Sequence, residues 1–383
     1  MNNQMNSLEK SFLPILFLFN LTGLEYLPSH GVFKQNRFCS FISEFLKYLF
    51  RFLQCLGIIA QIFSVILLEE KKVPVSVFIL VTLQIAVNIQ TCRSREQIRV
   101  ILMKLWKCSQ MLHCYQNGQK LRASISAFIV FLILLNIIYI STYFYSNEYA
   151  VYRSLIQNSH AFYNLPKLKQ YTIHIPEVCI IANPTAAALV FSSLAGYYGF
   201  VCLYVKDLFN RIENGIIHLG KDFSHLPLIQ SYIELAGLMK SMDDYLSFSA
   251  FIIVLSSLAG LFYINFGILI FSIDGCVHPL TGETYFFSLV CMVILSASAA
   301  NRAFLTAKEA LLSLPAKIPQ HYDELKIIVC RECMKDVSLT LWKVYKIEPS
   351  LLLSAMGLLI TYGMLLATLG GTISQQRDSL LVD

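Results

Sequence analysis

Seven apolar runs, each long enough to cross a bilayer as a helix, restrict this chain to very few architectures. They lie at about Tyr48–Leu68, Val73–Gln90, Ser124–Tyr145, Val178–Val205, Phe248–Ile273, Thr284–Phe304 and Ser350–Ile373. Inside hydrocarbon every backbone N–H and C=O must be paired within the protein, which only helices and closed barrels achieve. Runs of this length, without the strict alternation of barrel strands, select helices. With 56% hydrophobic and only 14% charged residues in 383, the chain is too apolar for a soluble globule. The expected fold class is therefore all-α: a polytopic membrane protein of seven transmembrane helices. The apolar residues between Phe12 and Leu24 are too few and too interrupted for an eighth span, and no small-residue cleavage pattern follows them. They predict a cytosolic helix lying on the membrane rather than a signal peptide.

Orientation follows from the basic residues, because positive loops are retained on the cytosolic side. With the N-terminus inside, 24 of the 30 Lys and Arg fall in the inner segments 1–51, 91–123, 206–247 and 302–349. Seven spans then leave the C-terminus extracellular, the reverse of a G-protein-coupled receptor. Inner loops facing anionic lipid account for the net charge of +6 without any nucleic acid partner. Asn20-Leu21-Thr22 is the only glycan acceptor sequence, since Pro184 disqualifies Asn183-Pro184-Thr185. On this topology Asn20 is cytosolic and stays bare.

Catalytic chemistry has no foothold. The eight histidines are scattered, with no i, i+4 pair for a metal and no glycine loop for a phosphate. No cofactor is implied, and the chain does not read as an enzyme. Cys330-Arg331-Glu332-Cys333 has zinc or redox spacing but no second pair, so one turn of a cytosolic helix is the better reading. Cys179 and Cys276 fall at the outer ends of the fourth and fifth spans, where either a disulfide or two free thiols would fit. The charged residues within spans are Arg51 and Arg302, near inner ends where they can snorkel. A proton-coupled transporter would place acids or bases at mid-membrane. A G-protein-coupled receptor would carry Asp-Arg-Tyr after its third span and Asn-Pro-x-x-Tyr in its seventh, and neither is present.

Several inner stretches have helical period. Ile98, Ile101, Leu102, Leu105 and Trp106 alternate with Arg95, Arg99, Lys104 and Lys107 in an amphipathic segment between spans two and three. The stretch from Pro227 to Asp244 runs on into the fifth span. Residues 306–349 read as helical on both sides of a break between Pro315 and Pro319, the second helix running from Tyr322 to Lys346. Pro349 marks the joint with the last span. The largest outer loop, 147–178, is aromatic and suits a lid or an interface anchor.

The last run is apolar on its flanks but carries Ser354, Thr361 and Thr368 at seven-residue spacing, with Leu358, Leu365 and Thr372 between them. That spacing makes one stripe on one helix. Such hydroxyls either line a pore, or bond back to their own i−4 carbonyls or a neighbouring helix.

The run Thr361-Tyr362-Gly363-Met364-Leu365-Leu366-Ala367-Thr368-Leu369 resembles the closing signature of insect gustatory receptors: a Thr-Tyr pair, five hydrophobic residues, then Gln-Phe. Thr368-Leu369 stands here in place of Gln-Phe. The preceding VSLTLWKVYKIEPS segment, 337–350, is similar to that family's approach to its last span, with Glu348 where an acid is usual. The likeness is good over about 285–373 and fair over 225–265.

The resemblance implies a gustatory-type, ligand-gated, non-selective cation channel in the plasma membrane of a sensory neuron. A homo- or hetero-tetramer would surround a pore walled by Ser354, Thr361, Leu365, Thr368, Leu369 and Thr372, with Thr368 and Leu369 at the gate. The chain then divides into a cytosolic segment (1–47), a ligand-binding bundle of six spans (48–305), cytosolic anchor helices (306–349), the pore helix (350–373) and an extracellular tail (374–383). Hydroxyl oxygens replace part of an ion's hydration shell, and leucines close the path by dewetting.

Pockets between helices facing the external solution are the expected ligand sites. The residues placed there are Tyr139, Tyr143, Asn183, Phe262, Tyr263, Phe266, Tyr285 and Phe286, with Asn265 beside them. Aromatic faces and an amide suit a small neutral tastant such as a sugar or an alkaloid. An odorant-receptor-type subunit, a G-protein-coupled receptor and a neutral-solute carrier are the alternative readings.

Overall fold

A computed structural model of the chain describes residues 2–22, 37–67, 72–112, 118–145, 149–150, 154, 174–218, 226–271, 277–318, 322–333 and 336–380. The helices are α1 (Asn2–Leu21), α2 (Arg37–Leu67), α3 (Lys72–Arg93), α4 (Arg95–Met111) and α5 (Gly118–Tyr143). They are followed by α6 (His174–Ile217), α7 (Leu226–Phe271), α8 (Val277–Lys317), α9 (Tyr322–Cys333) and α10 (Pro349–Leu380). Each of the seven apolar runs falls on one of these helices. Among the described residues, four segments are long and apolar enough to cross a membrane: Gly118–Tyr143, Ile181–Ile217, Leu226–Asn265 and Val277–Lys317. Pro349–Leu365 forms a shorter apolar helix.

Helix α6 is the axis of the bundle. From Val190 to Val205 it is buried on nearly every side, as a helix apolar all round must be. It packs against α2, α5 and α8. Gly199 lies against Met292 of α8, and Gly196 against Phe128 of α5. Phe286 of α8 covers Gly260 of α7. At Gly282 three helices meet: a Cβ there would come within 2.6 Å of Ile264 Cδ1 and 2.7 Å of Tyr139 Cε2. The missing side chain lets α5, α7 and α8 approach closely at that level. These contacts make α8 run parallel to α6, with α5 and α7 antiparallel to both, as alternating spans require.

At the other end of the bundle Phe209, Tyr232 and Phe304 close a fully buried aromatic cluster. Phe209 meets Phe304 edge-on at 5.5 Å, and Tyr232 stacks on Phe304 at 5.7 Å. The cluster ties α6, α7 and α8 together along the long polar-faced extensions that the helical period implied. Helix α4 buries Ile98, Ile101, Leu102 and Leu105, and its Lys107 Nζ donates to Glu234 of α7 at 3.0 Å.

Two expectations are corrected. Helix α1 does not lie on the membrane: Phe12, Ile15 and Phe19 are fully buried, and Phe12 and Phe19 pack on the ring of Tyr197 at 6.3 and 5.6 Å. Ser11 Oγ donates to the Gly118 carbonyl at 3.0 Å. Even the polar residues that interrupt this stretch, Asn20 and Thr22, are buried where the helix is seated against α5 and α6.

The second correction concerns the segment before the last helix. It is not helical as far as Lys346: α9 stops at Cys333, and a two-stranded hairpin follows, β1 (Thr340–Leu341) and β2 (Tyr345–Lys346). The fold is therefore not purely α, nor is 306–349 purely helical. Trp342 and Lys343 take φ of 51° and 59°, the left-handed pair that a tight hairpin turn needs. Tertiary contacts hold the turn there. Asn301 Nδ2 donates to the carbonyls of Leu339 (3.1 Å) and Ile347 (3.0 Å), while its Oδ1 accepts from Leu339 N–H at 2.8 Å. Asp243 accepts both the N–H and the hydroxyl of Thr340 at 2.7 Å. Trp342 rests on Phe248 and Phe251. Just before the strands, Asp336 pairs with Lys308, and that bond holds its carboxyl below the usual carboxylate range. A depressed pKa contributes stability at neutral pH that is lost as pH falls through the folded value.

Candidate functional site

Helix α10 starts at Pro349, whose missing N–H costs nothing in a first helical turn. It leans on α7 and α8 through one face: Leu352, Met356, Leu359 and Gly363 are half-buried. Ser354, Leu358, Thr361 and Leu365 are all exposed. At roughly 100° per residue the two sets occupy opposite sides of the helix, so the hydroxyl stripe points away from the chain's own bundle. Thr361 Oγ1 donates to the Gly357 carbonyl at 2.8 Å. This back-bond uses the hydroxyl hydrogen and leaves the oxygen lone pairs turned outward, as a group that accepts contacts from cations would. Tyr362 of the Thr-Tyr pair is 55% exposed. The side chains of Thr368, Leu369 and Thr372 lie outside the described residues.

The residues expected around a ligand separate into groups. Tyr139 and Tyr143, one helical turn apart on α5, both turn toward His278 at the start of α8. Tyr139 stacks on the imidazole at 4.4 Å, and Tyr143 tilts against it at 5.3 Å. His278 Nδ1 lies 3.1 Å from the Tyr139 carbonyl and 3.3 Å from Thr142 Oγ1. Tyr149 closes on Tyr143 at 6.1 Å from the following segment. A second group lies about two turns further along α8. Tyr285 is buried and meets the ring of Phe286 edge-on at 5.2 Å. The Tyr285 hydroxyl lies near Ser192 of α6, but the two buried oxygens do not reach full hydrogen-bond geometry with each other or with any other described group.

Asn183 stands apart from both groups, its amide packed against Gly57 of α2. Phe262 and Tyr263 are 39% and 44% exposed on α7. The side chain of Phe266 lies outside the described residues, as do those of Cys179 and Cys276. His278 was not among the expected residues; its only sequence signal is a histidine four places before the crossing glycine, Gly282. A separate cleft of about 620 Å³ opens between α7, α8 and α10, and of the residues expected around a ligand it contains Asn265 alone. Among the described residues no cluster of His, Cys, Asp or Glu could hold a metal ion.

No protein-family profile matches the sequence, and no curated protein matches it. Solved structures do. The insect olfactory receptor OR5 from Machilis hrabei superposes with a TM-score of 0.68 at 13% identity, over 95% of this chain and 99% of the receptor. The same receptor in complex with eugenol gives a TM-score of 0.67 at 12% identity, over 96% and 100% of the two chains. The chain therefore has the fold of an insect olfactory receptor over 95% of its length, as the resemblance to the insect chemoreceptors implied.

Proposed function

We propose that this chain is a subunit of a chemoreceptor cation channel of the plasma membrane, opened by a small molecule. One observation carries the reading. The Ser354–Thr361 stripe, a wettable line on an apolar helix, is turned outward from its own bundle, where copies of α10 around a shared axis would face one another. Permeant cations then meet hydroxyl oxygens and leucines in alternate turns, and four subunits are the expected assembly. The orientation is an inward N-terminus with seven spans, by the distribution of basic residues.

The ligand site is proposed within the bundle around Tyr139, Tyr143, Tyr285 and Phe286, with His278 and Ser192 added. Support comes from the two unpartnered buried hydroxyls of Tyr285 and Ser192, which a ligand hydroxyl or bound water would satisfy. Taste and smell remain two readings. The Thr361-Tyr362 signature favours a gustatory type, and the solved receptor of the same fold, captured with eugenol, favours an odorant type.

The test is whole-cell recording over a panel of sugars, bitter compounds and phenolic odorants, with and without a related subunit co-expressed. Wild type should give a ligand-evoked inward current that Thr361→Arg and Thr368→Arg suppress, because a ring of positive charge opposes cation entry. Unaltered conduction in both variants at normal surface expression would remove α10 from the pore.

A further inference from the structure

The cleft between α7, α8 and α10 lies apart from the stripe and, but for Asn265, from the residues expected around a ligand, and its polar chemistry is weighted to acceptors. Its walls are apolar, with Leu261 from α7, Phe287 from α8, and Met356 and Leu359 from α10. Three polar residues join them: Asn265, Glu283 and Thr284. The Asn265 amide nitrogen already donates to the Leu261 carbonyl at 2.8 Å, and the Thr284 hydroxyl donates to the Leu280 carbonyl at 2.7 Å. The Thr284 hydroxyl hydrogen and one of the two Asn265 amide hydrogens are thus used inside their own helices. Beyond the remaining amide N–H, what the cleft offers to an occupant is acceptors: the amide oxygen, the hydroxyl lone pairs and the Glu283 carboxylate. Among the described residues Glu283 has no cationic partner. Glu283 is half-buried beside these apolar side chains, so a cation brought to it would form a pair partly shielded from water.

We propose that this cleft is a second binding site, selective for a small amphiphilic amine whose ammonium group pairs with Glu283 and whose apolar body lies against Phe287, Met356 and Leu359. An ammonium carries three donors and no acceptor, the complement of this lining. The occupant would sit between α10 and the helices that support it, on the side opposite the hydroxyl stripe. It would therefore act on the set of α10 without entering the conduction path or the bundle site.

Gly363 provides a way to close the cleft without disturbing the acid. A Cβ added there meets nothing within 4 Å, and an extra side chain on a helix glycine does not weaken the helix. The experiment is equilibrium binding of radiolabelled 4-phenylbutylamine to the full chain in phosphatidylglycerol nanodiscs, with 4-phenylbutan-1-ol as the uncharged counterpart. Binding is read directly, so the result does not depend on the protein conducting.

Saturable binding of the amine is expected to weaken about tenfold or more in Glu283→Gln, with the alcohol's weaker binding unchanged. Gly363→Leu should weaken both. Absence of saturable amine binding to wild type, or an amine affinity untouched by Glu283→Gln, would overturn the assignment. Repeating the titration in phosphatidylethanolamine separates the two sources of an ammonium group. An unchanged affinity assigns the cleft to a soluble amine, and abolished binding gives it to the lipid head group and overturns the soluble-ligand assignment.

Discussion

At the scale of single residues, Asn301 and Tyr285 are opposite cases of a buried polar group. Asn301 is 5% exposed and makes three hydrogen bonds to the backbone on both sides of the hairpin. Asn301→Leu keeps the volume but strands one N–H and two carbonyls, and should cost about 2–4 kcal/mol. Thermal unfolding in detergent checks this as a lowered midpoint. Tyr285 is as buried but its hydroxyl is unpartnered, so Tyr285→Phe should leave that midpoint unchanged or slightly raised. If a ligand uses the hydroxyl, the same variant shifts the half-maximal ligand concentration upward by about tenfold, the order of one lost hydrogen bond. A dose–response curve that does not move would take Tyr285 out of the site. Neither role was legible in the sequence. An asparagine at the inner end of an apolar run reads as a snorkelling or interface residue, and its partners lie 38 and 46 positions away. His278 was missed for the same reason, since Tyr139 reaches it across 139 positions.

At the scale of elements, the long helices were readable because their signals are local and repeated. The apolar period of 98–105 gives α4, the period of 229–239 gives the extension of α7, and Pro349 gives the start of α10. The hairpin was not readable, because a two-residue strand has no period to detect. Its turn residues, Trp342 and Lys343, are not the Asn and Gly that announce such turns. What fixes them is Asp243, Asn301 and the rings of Phe248 and Phe251, all supplied by other helices. Helix α1 failed for a related reason: its apolar face was visible, but nothing local says whether that face meets lipid or Tyr197. The aromatic cluster at the inner end of α6, α7 and α8 lets this scale be tested. Phe304→Ala opens a hole between two ring contacts and should destabilise by about 3–5 kcal/mol, read as loss of folded protein on size exclusion after mild heating. Phe304→Leu, which fills most of the volume, should recover more than half of that loss.

At the scale of the whole molecule, the distribution of basic residues and the alternating directions of α5 to α8 require the same thing: consecutive spans that reverse. Asn20 is a poor reporter of which side is which. It is 5% exposed within α1, so a folded chain has no room for a glycan there in either orientation. His160→Thr completes an acceptor sequence at Asn158, in the loop between the third and fourth spans. With the N-terminus inside, that variant should gain a glycosidase-sensitive shift on gels. A C-terminal epitope should be reachable on intact cells while an N-terminal one is not. The opposite pattern would invert the chain and place the hydroxyl stripe in a protein of another class.

The seating of α1 also bears on how the chain is made. Ser11 finds its partner at Gly118 and Phe12 at Tyr197, so α1 leaves the ribosome well before the helices that house it. During synthesis its greasy face must wait, shielded by a chaperone or resting on lipid, while more than a hundred further residues emerge. A bulky insertion just ahead of α1 should therefore depress yield far more than the same insertion just after α10.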